Sequence, residues 1–259
     1  MQSPVVEPEG DPAVRAIDAR RRIGEPINFE WLRKRYARHI GIKESLDWGT
    51  AVLGVVDQLD QYLWTYGLMV ASQWHHAAPM IPSMLRPMRM IDYGCGQGLA
   101  GLLLHDIFGA AMFGQVQHLL LIEPSSVALA RARAIYAHVA PHAELQMVCK
   151  PFDELQKGTS GSKLENLHIF SNVLDIPSFD AAALLTKALQ PGRNVIVAVS
   201  PDRDFRGGTP RLVDLKGRVE SSALMAHLHV VQNDLTLFVC DNPGGSPAVL
   251  WVCEVNVRG

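Results

Sequence analysis

The chain has 259 residues, 48% of them hydrophobic, and a formal net charge of −2. That length supports one large α/β domain with a helical addition, and the near-neutral charge provides no global field for gathering nucleic acid. The apolar runs near Val52 to Val56 and Val195 to Val199 are too short to cross a bilayer, so no membrane partner is expected.

Residues 1–25 mix Pro4, Pro8 and Pro12 with Glu7, Glu9 and Asp11. This differs from the positive-then-apolar order of a secretory signal, and a flexible tail is expected. Over 26–87, Phe29, Leu32, Tyr36 and Ile40 recur at helical spacing, as do Val52, Val55, Val56, Leu59, Leu63, Tyr66 and Val70. Two helices are expected there as an extension or lid, ended by Pro79, Pro82 and Pro87. The remainder, 88–259, alternates strand-like and helix-like runs: a short run ending at Asp92, then Leu99 to Phe108, His118 to Ile122, Ser126 to Val139, and Leu145 to Cys149. A polar loop around Lys157 to Lys163 precedes Leu167 to Phe170, Ala181 to Leu189, and Val195 to Val199. Alternation of this kind implies parallel strands with helical crossovers. The last two runs, Leu235 to Cys240 and Val249 to Val257, flank Asp241-Asn242-Pro243-Gly244-Gly245-Ser246-Pro247, which predicts an antiparallel hairpin. Cys95, Cys149, Cys240 and Cys253 lack CxxC spacing, so buried thiols, no metal site and a cytoplasmic location are expected.

The run Met90-Ile91-Asp92-Tyr93-Gly94-Cys95-Gly96-Gln97-Gly98 places an acid and three glycines between a strand and a helix. Glycines there let a ligand approach the backbone closely. The same residues satisfy GxGxxG through Gly101, with Glu123 at a suitable distance to hold a ribose, so a nicotinamide cofactor must be weighed. Against it, Asp92 would repel a pyrophosphate but suit the cationic amino-acid end of S-adenosylmethionine.

Ile91 to Gly98 resembles the first motif of class I S-adenosylmethionine-dependent methyltransferases, and the resemblance extends over roughly 88–257. It implies a Rossmann-like, mostly parallel seven-stranded α/β sheet closed by a C-terminal antiparallel hairpin, with S-adenosylmethionine as cofactor. Leu120 to Ser125 is similar to the second motif, which makes Glu123 the ribose acid and Pro124 its neighbour. His168 to Leu174 resembles the fourth-strand motif, placing Ser171 and Asn172 beside the transferred methyl. Leu189 to Gly192 resembles the turn before the fifth strand. The third motif departs, since Cys149-Lys150-Pro151 stands where an acid is usual; Asp153 fills the adenine role two residues late, with Phe152 on the base. The implied cofactor set is thus Asp92, Gly94, Cys95, Gly96, Gly98, Glu123, Pro124, Phe152, Asp153, Ser171 and Asn172.

Methyl transfer needs alignment more than a base, and no catalytic residue is assigned. His75, His76, Tyr66 and Asp175 are base candidates by position alone. The acceptor is open between small molecule, protein and RNA. A non-catalytic binding or scaffold protein is the alternative, with a nicotinamide oxidoreductase third.

Overall fold

A computed structural model describes residues 10–82, 85–155, 164–204, 208–221 and 228–258. The polar loop expected at 157–163 lies outside them. Among the described residues three α-helices precede the first strand: α1 (Pro12–Arg22), α2 (Phe29–Tyr36) and α3 (Val56–Ala77).

Helix α1 corrects the expectation of a tail through residue 25. Asp11 caps it by accepting from the Ala13 N–H at 2.8 Å, Pro12 occupies a first-turn position, and Ala13 and Ile17 are buried. So sparse an apolar pattern would not hold a helix in isolation; docking holds it. The longer helix expected from Val52 begins only at Val56, after a 3₁₀ segment at Lys43–Gly49, and Val52 and Val55 are exposed. Ile40 lies beyond the end of α2.

The strands are β1 (Arg89–Tyr93), β2 (His118–Ile122), β3 (Glu144–Val148), β4 (Asn166–Ser171), β5 (Gly192–Pro201), β6 (Leu228–Val239) and β7 (Pro247–Val257), in the sheet order β3-β2-β1-β4-β5-β7-β6. Strands β1 to β5 pair in parallel, and β7 lies antiparallel to both β5 and β6. The expected hairpin is therefore present, although β6 starts seven residues before Leu235. Helices α4 (Leu99–Phe108), α5 (Ala110–Phe113), α6 (Ser126–Val139), α7 (Ala181–Ala188) and α8 (Gly208–Glu220) complete the α-helices of the described residues.

Successive strand side chains face opposite sides of the sheet, and here both sides are covered. Met90, Leu121 and Ile169 share a core with Leu32 of α2, Trp74 of α3 and Ile135 of α6. Ile91, Phe170 and Trp251 share another with Leu185 of α7 and Leu212 of α8. The N-terminal helices thus belong to one layer of this core. Helices α4 and α6 lie on one face and α7 and α8 on the other, so the chain leaves the adjacent ends of β1 and β4 toward opposite sides. Such a switch point opens a crevice at the carboxyl ends of the strands.

One buried group makes this core pH-sensitive. His168, within β4, is fully buried between the Tyr93 hydroxyl at 3.2 Å from Nδ1 and Asn194 Oδ1 at 3.1 Å from Nε2. Asn194 is oriented by Gln190, so His168 Nε2–H donates to it and Nδ1 accepts from Tyr93. Burial pushes the His168 pKa down to about 4. The ring is neutral in the fold but gains a proton on unfolding below pH 6.5, so its contribution is complete above that value and is lost as pH falls toward 4. Urea unfolding is expected to show a loss of about 2 kcal/mol from this group between pH 7.5 and pH 5, a component that His168→Gln removes; an unchanged pH dependence in the variant would contradict the assignment.

Candidate functional site

The crevice is built first from glycine. Gly94, Gly96 and Gly98 have φ of +63°, +50° and +85°, a left-handed conformation that side chains disfavour, and each has a separate role. A Cβ on Gly94 would stand 2.7 Å from Val173 Cγ2, so its smallness lets the loop after β4 approach. A Cβ on Gly98 would stand 2.9 Å from Ala132 Cα, which lets α6 pack against the start of α4. A Cβ on Gly96 would meet nothing within 4 Å. The open space there is the crevice itself.

Glu123 follows β2 and is 7% exposed. Its Oε2 accepts from the Gly96 N–H at 3.0 Å and its Oε1 from the Ser125 N–H at 2.9 Å. Burial raises its pKa, and these two backbone donors oppose the shift. Each carboxylate oxygen retains acceptor capacity. Gly94, Cys95, Gly96, Glu123 and Pro124 border a cavity of ≈ 250 Å³, joined by Phe152 and Asp153 from the turn after β3 and by Ser171 and Asn172 at the end of β4. Nine of the eleven residues named from the sequence therefore line one cavity, with Asp153 exposed and the Cys95 thiol buried.

Asp92 and Gly98 do not border this cavity. Gly98 serves the α6 contact. Asp92 is fully buried one layer behind the loop, where its Oδ2 accepts from the Tyr136 hydroxyl at 2.7 Å and its Oδ1 has no hydrogen-bond partner among the described residues. Desolvation pushes its pKa up to about 7, against the Tyr136 hydrogen bond and with the nearby Glu123 charge. Tyr136 reaches it across Gly101, whose missing side chain leaves room for the ring. The third glycine of the GxGxxG pattern thus accommodates a tyrosine.

The base candidates are dispersed. His75 bonds the Ala71 carbonyl and borders a separate small pocket, His76 pairs with Asp241 at 3.1 Å, and buried Asp175 holds Ser200 and Arg203. Neither these three nor Tyr66 lines the main cavity, whereas Tyr62, one helical turn earlier, does. Sequence reading also missed the 49–53 segment and the pair Ile176 and Phe179, which line the same cavity. The Phe179 ring meets Phe152 edge-on at 4.7 Å. Gly49 carried the available signal for the first of these, since its φ of +89° brings the backbone over the Tyr62 and Tyr66 rings.

No family model matches the sequence, and no curated protein sequence matches it either. Solved structures do match. The plantazolicin methyltransferase BpumL, in complex with S-adenosylhomocysteine, is 9% identical and superposes with a TM-score of 0.50 over 93% of this chain and 98% of that one. The chain has the class I methyltransferase fold. Similarity also extends to a SAM-dependent methyltransferase from Leishmania major, at 14% identity and a TM-score of 0.47 over 87% of this chain and 90% of that one. Magnesium protoporphyrin IX methyltransferase from Synechocystis, with bound SAM, matches at 14% identity and 0.45 over 90% and 99%. The methyltransferase fold differs from the dinucleotide-binding sheet, whose six strands are parallel, by the antiparallel β7 between β5 and β6.

Asp92 makes this site pH-sensitive in the sense opposite to His168. A carboxyl whose pKa rises on folding stabilises the fold fully below its unfolded value near 3.8, and that contribution is lost as pH rises through about 7. The amount is of the order of 4 kcal/mol. Asp92→Asn is expected to raise the melting temperature relative to wild type at pH 8 and to change it far less at pH 5. Equal effects at both pH values would show that the carboxyl is charged in the fold throughout.

Proposed function

We propose that the crevice binds S-adenosylmethionine and that the protein transfers its methyl group to an acceptor. The observation that carries this reading is the Glu123 carboxylate, fixed by the Gly96 and Ser125 N–H groups, beside a Gly96 whose Cβ direction is open. A buried carboxylate with unused acceptor capacity on both oxygens suits two vicinal hydroxyls, and bare backbone beside it suits a ligand chain passing at contact distance. Phe152, half-buried at the cavity wall, offers a face for a planar base, and Asp153 an acceptor for an exocyclic amino group. When bound, the cofactor supplies an electrophilic methyl on a sulfonium.

This chain contributes position and exclusion of water. Asn172 takes a left-handed φ of +58° at the end of β4, and its Nδ2 donates to Gln73 Oε1 at 3.0 Å. The Ser171 hydroxyl accepts from the Trp74 indole N–H at 3.1 Å. Both residues are thereby bolted to α3 and border the cavity with fixed orientation. Leu53, Tyr62, Val70 and Ile176 supply apolar or aromatic cover. No Lys, Arg or His is among the described residues of this wall, which supports a small acceptor without phosphate groups over RNA. One observation favours the second reading, a non-catalytic binding protein: the four positional base candidates all lie off the cavity wall.

Titration calorimetry tests the donor site. Wild type is expected to bind S-adenosylhomocysteine, and Gly96→Val and Glu123→Ala to weaken binding at least about tenfold, or about 1.4 kcal/mol each. No saturable binding by wild type would overturn the reading. Transfer of label from S-adenosylmethionine to a panel of small hydroxyl, thiol and amine acceptors separates an enzyme from a binding protein.

A further inference from the structure

The glycine loop is tied to a part of the chain that the proposed reaction does not call on. Arg131, on α6, is fully buried. Its Nε donates to Asp11 Oδ2 at 2.8 Å and its Nη2 to Asp11 Oδ1 at 3.0 Å, so the N-cap acid of α1 grips the guanidinium at two points. Nη2 also donates to Asp60 Oδ1 of α3 at 3.0 Å, and the remaining terminal nitrogen, Nη1, donates to Gln97 Oε1 at 2.9 Å. Gln97 is the residue between Gly96 and Gly98, and its Nε2 donates to the Leu59 carbonyl at 3.0 Å. Both ends of this amide are therefore held, although it borders the cavity and is only 2% exposed.

The charges explain why the parts belong together. A buried guanidinium must be neutralised and have its donors satisfied. Arg131 meets two carboxylates, and the second of these, Asp60, is shared with Arg38, which also faces Asp57 at 3.6 Å. Remove Asp11 and Arg131 keeps a single carboxylate, already shared. The guanidinium must then move or admit water, and the Gln97 amide moves with it. Gln97 follows directly on Gly96, whose N–H donates to Glu123.

We infer that α1 is a working part of the donor site: Asp11 acts through Arg131 and Gln97 as a positioning residue that holds the Gly94–Gly98 backbone ready for ligand. This rests on the crevice being the donor site only for its consequence in binding; the coupling itself is a property of the free protein.

Hydrogen exchange by the full-length protein without ligand is the test, comparing the 94–98 amides with those of Val195–Val199 in the sheet. Asp11→Asn and, separately, Gln97→Met are expected to speed exchange of the loop about tenfold or more while the sheet amides stay within about twofold. The double variant is expected to add little to either, because both act through one guanidinium. Loop exchange unchanged in Asp11→Asn, equal acceleration of loop and sheet, or independent effects in the double variant would each overturn the inference. S-adenosylhomocysteine affinity is read on the same proteins. Weakened binding in Asp11→Asn carries the coupling into the donor site, whereas a wild type that fails to bind while its loop still responds to Asp11→Asn sinks the donor reading and supports the coupling.

Discussion

The constraint on which the structure depends is the parting of the chain at β1 and β4. These strands pair in parallel register from Arg89 and Asn166 to Tyr93 and Phe170, yet the chain departs from their carboxyl ends toward opposite faces of the sheet. The backbone between them cannot close, and a crevice results from topology before any side chain is chosen. The residues then determine what the crevice accepts. Three left-handed glycines turn β1 into α4, and only Gly96 leaves its side-chain direction open to the cavity; the other two let Val173 and Ala132 close in behind.

Polar groups around the crevice divide into those that face it and those that support it. Glu123 and Asn172 border the cavity and are oriented by bonds to Gly96, Ser125 and Gln73. Asp92 and Arg131 lie behind the loop, fully buried, the first bonded to Tyr136 and the second to Gln97. The two supports differ in electrostatics. Arg131 is compensated by carboxylates, whereas Asp92 keeps an oxygen without a partner among the described residues, beneath a site read as holding a cationic ligand. A buried carboxylate whose protonation is finely poised can respond to a charge placed above it.

Local patterns were the readable part. A strand that runs directly into glycines, as at Asp92 to Gly98, and an acid at a strand end, as at Glu123, are contiguous in sequence, so their structural meaning survives without tertiary information. The helices Leu99 to Phe108 and Ser126 to Val139 were also readable, the first from its dense apolar run and the second from an apolar face with a serine cap. Helix α8 was not read, because Gly208, Pro210 and Gly217 punctuate a sequence whose buried side consists of Leu212, Leu215 and Val219. The early part of β6 was hidden for another reason: as an edge strand it carries His229, Gln232, Asn233 and Asp234. Helix α1 looked like tail because its decisive interaction, Asp11 with Arg131, joins residues 120 positions apart. The direction of Asp92 was not legible: its place in the sequence put a carboxylate near the loop, and the reach of Tyr136 holds that carboxylate behind it.

The position of a bound adenosine decides between a donor site and an unrelated crevice. A crystal structure of the protein soaked with S-adenosylhomocysteine tests it most directly. The prediction is that both ribose hydroxyls lie within hydrogen-bond reach of Glu123, that the ligand passes over Gly96 and its base lies against Phe152, and that Asp92 stays bonded to Tyr136 without touching the ligand. A ligand bound elsewhere, or one whose ribose makes no contact with Glu123, would contradict it.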